Sequence, residues 1–156
     1  MENGPDPAAL EQARQAHVGR RLHRAARAYN VLALEQLHAR GHTALSLAHT
    51  NLLPHLGTEG TRIVTLAERA GMTKQAASQL VGELETCGYV ERRPDPADGR
   101  ATRIQFTASG WQYLLDAQEV KRAIEAEYRA RLGEDLWNNL NEALEQLNAM
   151  DGDGNR

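Results

Sequence analysis

Two short helical patterns meet at Gly71, and a strand–turn–strand pattern follows the second with no linker between them. No other feature narrows the fold of this chain as much. The stretch LAERAGMTKQAASQLVGEL runs from Leu66 to Leu84. A glycine in the turn accepts a backbone conformation that other residues resist, and Thr73 stands where a helix N-cap is needed. Leu66, Ala70, Met72, Ala77, Leu80 and Leu84 form the inward set, with Ala67 small where the helices cross. This is the layout of a helix-turn-helix. It leaves Lys74, Gln75, Ser78 and Gln79 facing outward from the start of the second helix, next to Thr73. Such side chains read base edges or hold phosphates in a major groove. The helix N-terminus adds backbone amides that favour phosphate. Taken alone, the pattern also fits a small helical hairpin with a solvated polar face.

The next segment discriminates between the two. Tyr89 to Arg93 and Thr102 to Thr107 have strand character, and PDPADGR lies between them, so a hairpin with a long connection is expected. The run RRPDPADGRATR carries four arginines, Arg92, Arg93, Arg100 and Arg103. A hairpin directly after a recognition helix, with arginine at its tip, is the winged form of the helix-turn-helix. Arg100 is the expected tip residue, suited to the negative potential of a narrow minor groove. Asp98 is expected to brace its guanidinium bidentately. Pro94 and Pro96 stiffen the loop, so less entropy is lost on docking. Arg92, Arg93 and Arg103 fall at the hairpin base, within reach of phosphates.

The remainder reads as helix. One long helix is expected from about Ala8 to Ala39, closed by Arg40-Gly41-His42, after a loose leader at residues 1–7. Thr43 or Ser46 can cap a second helix that stops near Pro54, and GTEG, Gly57 to Gly60, is a turn. Ser109 is expected to open a long helix that Gly133 interrupts. Its stripes are Val120, Ile124, Tyr128, Leu132 and then Leu136, Leu140, Leu144, Leu147, and DGDGNR is read as a frayed tail. The fold class is mostly α with a small β-hairpin wing. A single domain over 1–156 is expected, with helical regions at 8–55 and 108–150 flanking a winged lobe at 61–107.

Charge does not exclude a polyanionic partner. The formal net charge is −3, but residues 11–27 hold five arginines and one glutamate, while residues 116–156 hold five basic and ten acidic residues. The first residues lack the apolar core of a signal peptide, and no apolar run approaches the roughly 18 residues of a membrane span. With Cys87 as the single cysteine, the expectation is a soluble, cytoplasmic chain without an intrachain disulfide or membrane contact.

The segment GYVERRPDPADGRATRIQFTASG, residues 88–110, resembles the MarR (multiple antibiotic resistance regulator) transcription factors. Their pattern there is a glycine, a short strand, an arginine, four residues, an aspartate, one residue, an arginine, and then a Leu-Thr pair. Arg93, Asp98, Arg100 and Thr107 fit, and Phe106 replaces the leucine. TKQAASQLVGELE is similar to the family's recognition helix. The resemblance implies a DNA-binding regulator, most commonly a repressor. It would be a homodimer whose platform is built from the first and last two helices, reading a pseudo-palindrome in double-stranded DNA. It also implies a small, commonly aromatic or anionic effector, bound among the first, second and fifth helices. Candidates for its lining are His17, Arg24, Tyr29, His49, Trp111 and Tyr113, with core packing as the alternative for Tyr29, Trp111 and Tyr113.

Other chemistries find little footing. The six histidines all lie within the first 55 residues, without His-Glu-x-x-His or paired cysteines, and are read as solvated or hydrogen-bonded rather than metal-ligating. No cofactor is called for. Cys87 falls at a helix C-terminus, where the dipole disfavours a thiolate, and is read as a small apolar residue. Asp151, Asp153 and Asn155 mimic half a calcium loop whose later ligands are missing. Neither a Gly-x-Ser-x-Gly elbow nor a P-loop occurs, and no enzyme is expected. A metal-responsive regulator and a protein-binding winged helix remain as alternatives.

Overall fold

Asp6 caps the first helix. Its Oδ1 accepts the Ala8 N–H at 2.9 Å, and Pro7 takes the first helical position, where its missing N–H would have had no partner. In the computed structural model, residues 6–153 are described. Residues 1–5 of the expected leader and 154–156 of the expected frayed tail lie outside them, while Pro7 belongs to the helix.

The single helix expected over 8–39 is two, α1 (Pro7–Ala16) and α2 (Val18–Ala39), because His17 is extended at φ −64° and ψ 133°. β-Branched Val18 and then Gly19 weaken any helix running through this point. Gly41, at φ 103°, closes α2 as its position predicts. Of the two candidate caps for α3 (Leu47–Leu52), Ser46 serves. Its hydroxyl accepts the His49 N–H at 3.3 Å, while His49 Nδ1 accepts the Ser46 N–H at 3.2 Å. Histidine thus occupies the place usually taken by Glu or Gln in a capping box. A single 3₁₀ turn, Leu53–His55, follows and contains Pro54.

The winged lobe starts with an element that sequence pattern did not reveal. Strand β1 (Thr61–Arg62) pairs antiparallel with β3, Thr61 opposite Ile104 and Arg62 opposite Arg103. Two residues are too short to show alternation. Helices α4 (Ile63–Arg69) and α5 (Lys74–Thr86) follow, separated by the turn at Gly71, φ 62°. Leu66, Ala67, Ala77 and Leu84 are buried as expected, but Ala70, Met72 and Leu80 are only half-buried. Val81, absent from the expected set, is fully buried. With Lys74 as the first helical residue, positions 77, 81 and 84 share the inward face, and Leu80 falls on its flank.

Strands β2 (Val90–Asp95) and β3 (Asp98–Phe106) complete a sheet of order β1-β3-β2. The long connection expected here is instead paired strand almost to the tip. Pro94 stands opposite Thr102 and Asp95 opposite Asp98 across a bulge, leaving only Pro96 and Ala97 in the turn. An edge strand tolerates Pro94, and the two aspartates supply what the bulged ladder lacks. Asp95 Oδ1 accepts the Ala97 N–H at 3.0 Å, and Asp98 Oδ1 accepts the Arg100 N–H at 3.1 Å.

Helix α6 (Ala108–Leu132) is capped by Thr107, not Ser109. The Thr107 hydroxyl accepts the Gly110 N–H at 3.1 Å and donates to the Gly88 carbonyl, tying the helix start to the end of α5. Helix α7 (Glu134–Asp153) follows the turn at Gly133, φ 79°, so Asp151 and Asp153 are helical. The chain forms two compact units, one up to Ala117 and one from Gln118 onward. In the first, Leu37, Leu45, Leu52, Leu53, Leu66, Val81, Leu84, Val90, Ile104 and Phe106 are buried. In the second, Arg129 Nε lies 3.6 Å from Glu134 Oε1 and its guanidinium stands 5.8 Å from the Trp137 ring centroid, bracing the turn at Gly133. No described helix is long and apolar enough to cross a membrane.

Candidate nucleic-acid interface

Helix α5 presents the polar face that its sequence predicts. Thr73 caps α5, its hydroxyl accepting the Ala76 N–H at 3.1 Å, so this oxygen serves the helix first. Lys74, Gln75 and Gln79 are exposed and Ser78 is half-buried, all on the first two turns. Gln79 is further committed, since its Nε2 donates to Glu83 Oε1 at 3.1 Å.

The wing's charges are arranged around one buried carboxylate. Asp95 is 1% exposed, yet it accepts two hydrogen bonds and faces a third donor. The Ala97 N–H meets Oδ1, Arg62 Nε donates to Oδ2 at 2.6 Å, and Arg103 Nε lies 3.1 Å from Oδ1 as an ion pair without a hydrogen bond. The Ala97 N–H first, and then Arg62, hold this carboxyl at about 2, well below the ordinary aspartate range. Arg62 and Arg103 also line a shallow basic cleft with Arg69, Thr58 and Thr65. Sequence reasoning missed Asp95. Its one signal was an aspartate between two prolines, two residues before a turn amide.

The other arginines differ in kind. Arg92 Nε donates to Glu85 Oε2 at 3.0 Å, and Arg93 Nε to Glu91 Oε1 at 2.8 Å. Arg100 is exposed on β3, just behind the turn rather than at its apex, and among the described residues its guanidinium has no ion pair. The expected bidentate brace from Asp98 is not there. Asp98 holds the Arg100 backbone instead, because a two-residue turn puts that N–H, not the guanidinium, beside the carboxylate.

The six residues considered for an effector differ in burial and in partners. His17 and Arg24 are exposed and Tyr29 is half-buried. His49 is 4% exposed, bound to Ser46 and to Glu83 Oε2, 2.9 Å from its Nε2. Trp111 is 44% exposed and its ring meets Phe106 at 5.8 Å. Tyr113 is buried against His42 and Tyr89, and burial pushes its hydroxyl up to about 12. His42 was not among the candidates, yet it joins three segments. Its Nδ1 meets the Tyr89 hydroxyl at 3.0 Å, and its Nε2 meets Asp116 Oδ2 at 2.9 Å. That hydrogen bond is the first cause of the lowered Asp116 carboxyl. Cys87, read as a small apolar residue, is exposed at the end of α5.

Comparison with known proteins matches this geometry. The MarR family model covers residues 45–101, from the loop before α3 through α4, α5 and β2 into β3. The transcriptional regulator HosA of Escherichia coli O111:H- is 34% identical over 73 residues, 47% of this chain and 54% of the relative. The chain thus spans about half the length of the curated relatives it matches. Among solved structures, wild-type MarR from E. coli in its apo form is similar with a TM-score of 0.69 at 22% identity, over 84% of this chain and 96% of that one. A MarR transcriptional regulator from Methanosarcina mazei Go1 is similar with a TM-score of 0.72 at 16% identity, over 86% and 95% of the two chains. The segment from α3 into the wing thus matches the MarR family model, and the chain has the winged-helix fold of the solved MarR structures.

Proposed function

We propose that this chain is a sequence-specific regulator of transcription that binds double-stranded DNA as a homodimer and acts as a repressor. The observation that carries the reading is the contrast among the wing arginines. Arg92, Arg93 and Arg103 have carboxylate partners, while Arg100 has none among the described residues and sits on β3 just behind a turn fixed by two aspartates. A free guanidinium on a stiff hairpin suits a minor groove. Thr73, Lys74, Gln75, Ser78 and Gln79 would lie in the adjacent major groove, with Arg93 and Arg103 near the backbone, and Asp98 holding the turn behind Arg100.

The dimer reading is supported by α7, whose Leu136, Leu140, Leu144 and Leu147 recur at helical spacing and are 37–55% exposed. A second copy of the chain would cover such a stripe. Two copies related by a two-fold axis would read half-sites about one helical turn apart. An effector would act by favouring a spacing of the two recognition helices that no longer fits adjacent grooves, to the extent of its differential affinity for the two states.

Selection of bound sequences from a pool of random duplexes tests this reading. The expected product is a pseudo-palindrome with half-sites roughly 10 base pairs apart. Recovery of no common sequence would contradict it and favour a winged helix that serves a protein partner.

A further inference from the structure

Recognition helices usually carry their base-reading side chains as free rotors. Gln79 in this chain is not one. Its Nε2 donates to Glu83 Oε1 at 3.1 Å, one turn further along α5. The other oxygen of that carboxylate, Oε2, lies 2.9 Å from His49 Nε2 on α3. His49 is buried, and its Nδ1 accepts the Ser46 N–H, so the ring hydrogen is on Nε2 and points at Glu83. Ser46, His49, Glu83 and Gln79 thus form one connected relay whose donors converge on Glu83, from the backbone at the start of α3 on one side and from an exposed amide on α5 on the other. Glu83 is itself 46% exposed on its side chain, yet both oxygens are engaged. The Gln79 amide and then His49 hold its carboxyl below the ordinary glutamate range, as expected for a carboxylate with donors on both sides.

The relay fixes which way the Gln79 amide faces. A carboxylate only accepts, so the NH₂ must turn toward Glu83 and Oε1 must turn away from it. One amide hydrogen then remains beside a free carbonyl oxygen. That donor–acceptor pair matches adenine, which offers N7 and N6–H₂ on its major-groove edge. A glutamine held in this orientation loses less rotamer freedom on docking than a free one.

We propose that Gln79 reads an adenine in the major groove and that Glu83, locked by His49, is the positioning residue that sets this preference. The inference rests on the DNA-binding reading above. Glu83 acts through Gln79 and does not touch the base.

Fluorescence anisotropy with a selected duplex and its single-base-pair variants tests the relay, using the full chain and the variants Gln79→Ala, Glu83→Ala and Glu83→Gln. The two Glu83 variants carry the same charge, so uniform electrostatic gains on DNA cancel between them. Wild type is expected to prefer A·T at one position of each half-site by about tenfold, within the range of a good bidentate contact. Gln79→Ala should abolish that preference and no other. Glu83→Ala should reduce it to about threefold at the same position, and Glu83→Gln, which keeps an acceptor for the amide, should fall between Glu83→Ala and wild type. Unchanged preference in both Glu83 variants would overturn the proposal, as would equal losses at every position or loss of a cytosine preference instead. If wild type discriminates among no duplexes, the DNA-binding reading fails before any variant is compared, and the relay's role in base reading fails with it.

Discussion

Arg62 and Asp95 are 33 residues apart in sequence and 2.6 Å apart in space, joining the first strand of the winged lobe to the turn of its hairpin. The same carboxylate holds the Ala97 N–H and faces Arg103. A wing hung on one buried carboxylate should be sensitive to acid. The folded carboxyl lies at about 2, below its unfolded value, so its stabilising contribution is complete above the ordinary aspartate range and is lost as pH falls toward 2. Asp95→Asn should therefore lower the melting temperature near neutrality. The gap between variant and wild type should narrow as pH drops from about 4 toward 2. Thermal melts across that range check both statements.

Gly110 has no room for a side chain. A Cβ built there would stand 2.1 Å from the Tyr89 carbonyl oxygen and 2.9 Å from Phe106 Cδ1. Backbone on one side and a buried ring on the other cannot both yield. Gly110→Ala is expected to destabilise the protein by about 3 kcal/mol or more, at the upper end of overpacking costs, as read from denaturant unfolding. Gly82→Ala, where nothing lies within 4 Å, is the control and should be neutral or slightly stabilising.

Thr73 has a structural duty that can be separated from DNA contact. Its hydroxyl caps α5 through the Ala76 N–H. Thr73→Ala should cost about 1 kcal/mol of folding stability, and Thr73→Ser should recover most of it. If serine restores stability but leaves DNA affinity low, the threonine methyl also meets the DNA.

Arg100→Ala should weaken binding to the selected duplex by about 1–3 kcal/mol without changing the melting temperature, since the guanidinium has no ion pair to lose among the described residues. Arg93→Ala should cost less, because its partner Glu91 must first release it. Parallel titrations of the two variants check the order.

Much of this architecture could be read from the sequence, because its signals are local. Gly41, Gly71, Gly88 and Gly133 all have positive φ where helices or turns end, and each marks a boundary that the sequence pattern also marks. Thr73 caps α5 as its position predicts. What escaped is long-range or very short. Strand β1 has two residues, and its pairing with β3 is set by tertiary contact. The hydrogen bonds from His42 to Asp116 and from His49 to Glu83 span 74 and 34 residues, distances over which no periodicity carries information. The wing tip was misjudged for a different reason. Pro94 and Pro96 suggested a loop, but an edge strand can hold proline, and the aspartates restored the hydrogen bonds that a bulge removes.

The central claim is sequence-specific DNA binding by the winged lobe. It is tested most directly by fluorescence-anisotropy titration of the wild-type protein against a duplex taken from just upstream of its own gene. The titration is run at two salt concentrations with a scrambled duplex as competitor. Binding that resists the competitor and falls steeply with salt, as contacted phosphates release their counterions, is the predicted result. Affinity no tighter than for scrambled DNA would contradict the account for that operator. The same failure with every duplex recovered by selection would contradict it altogether.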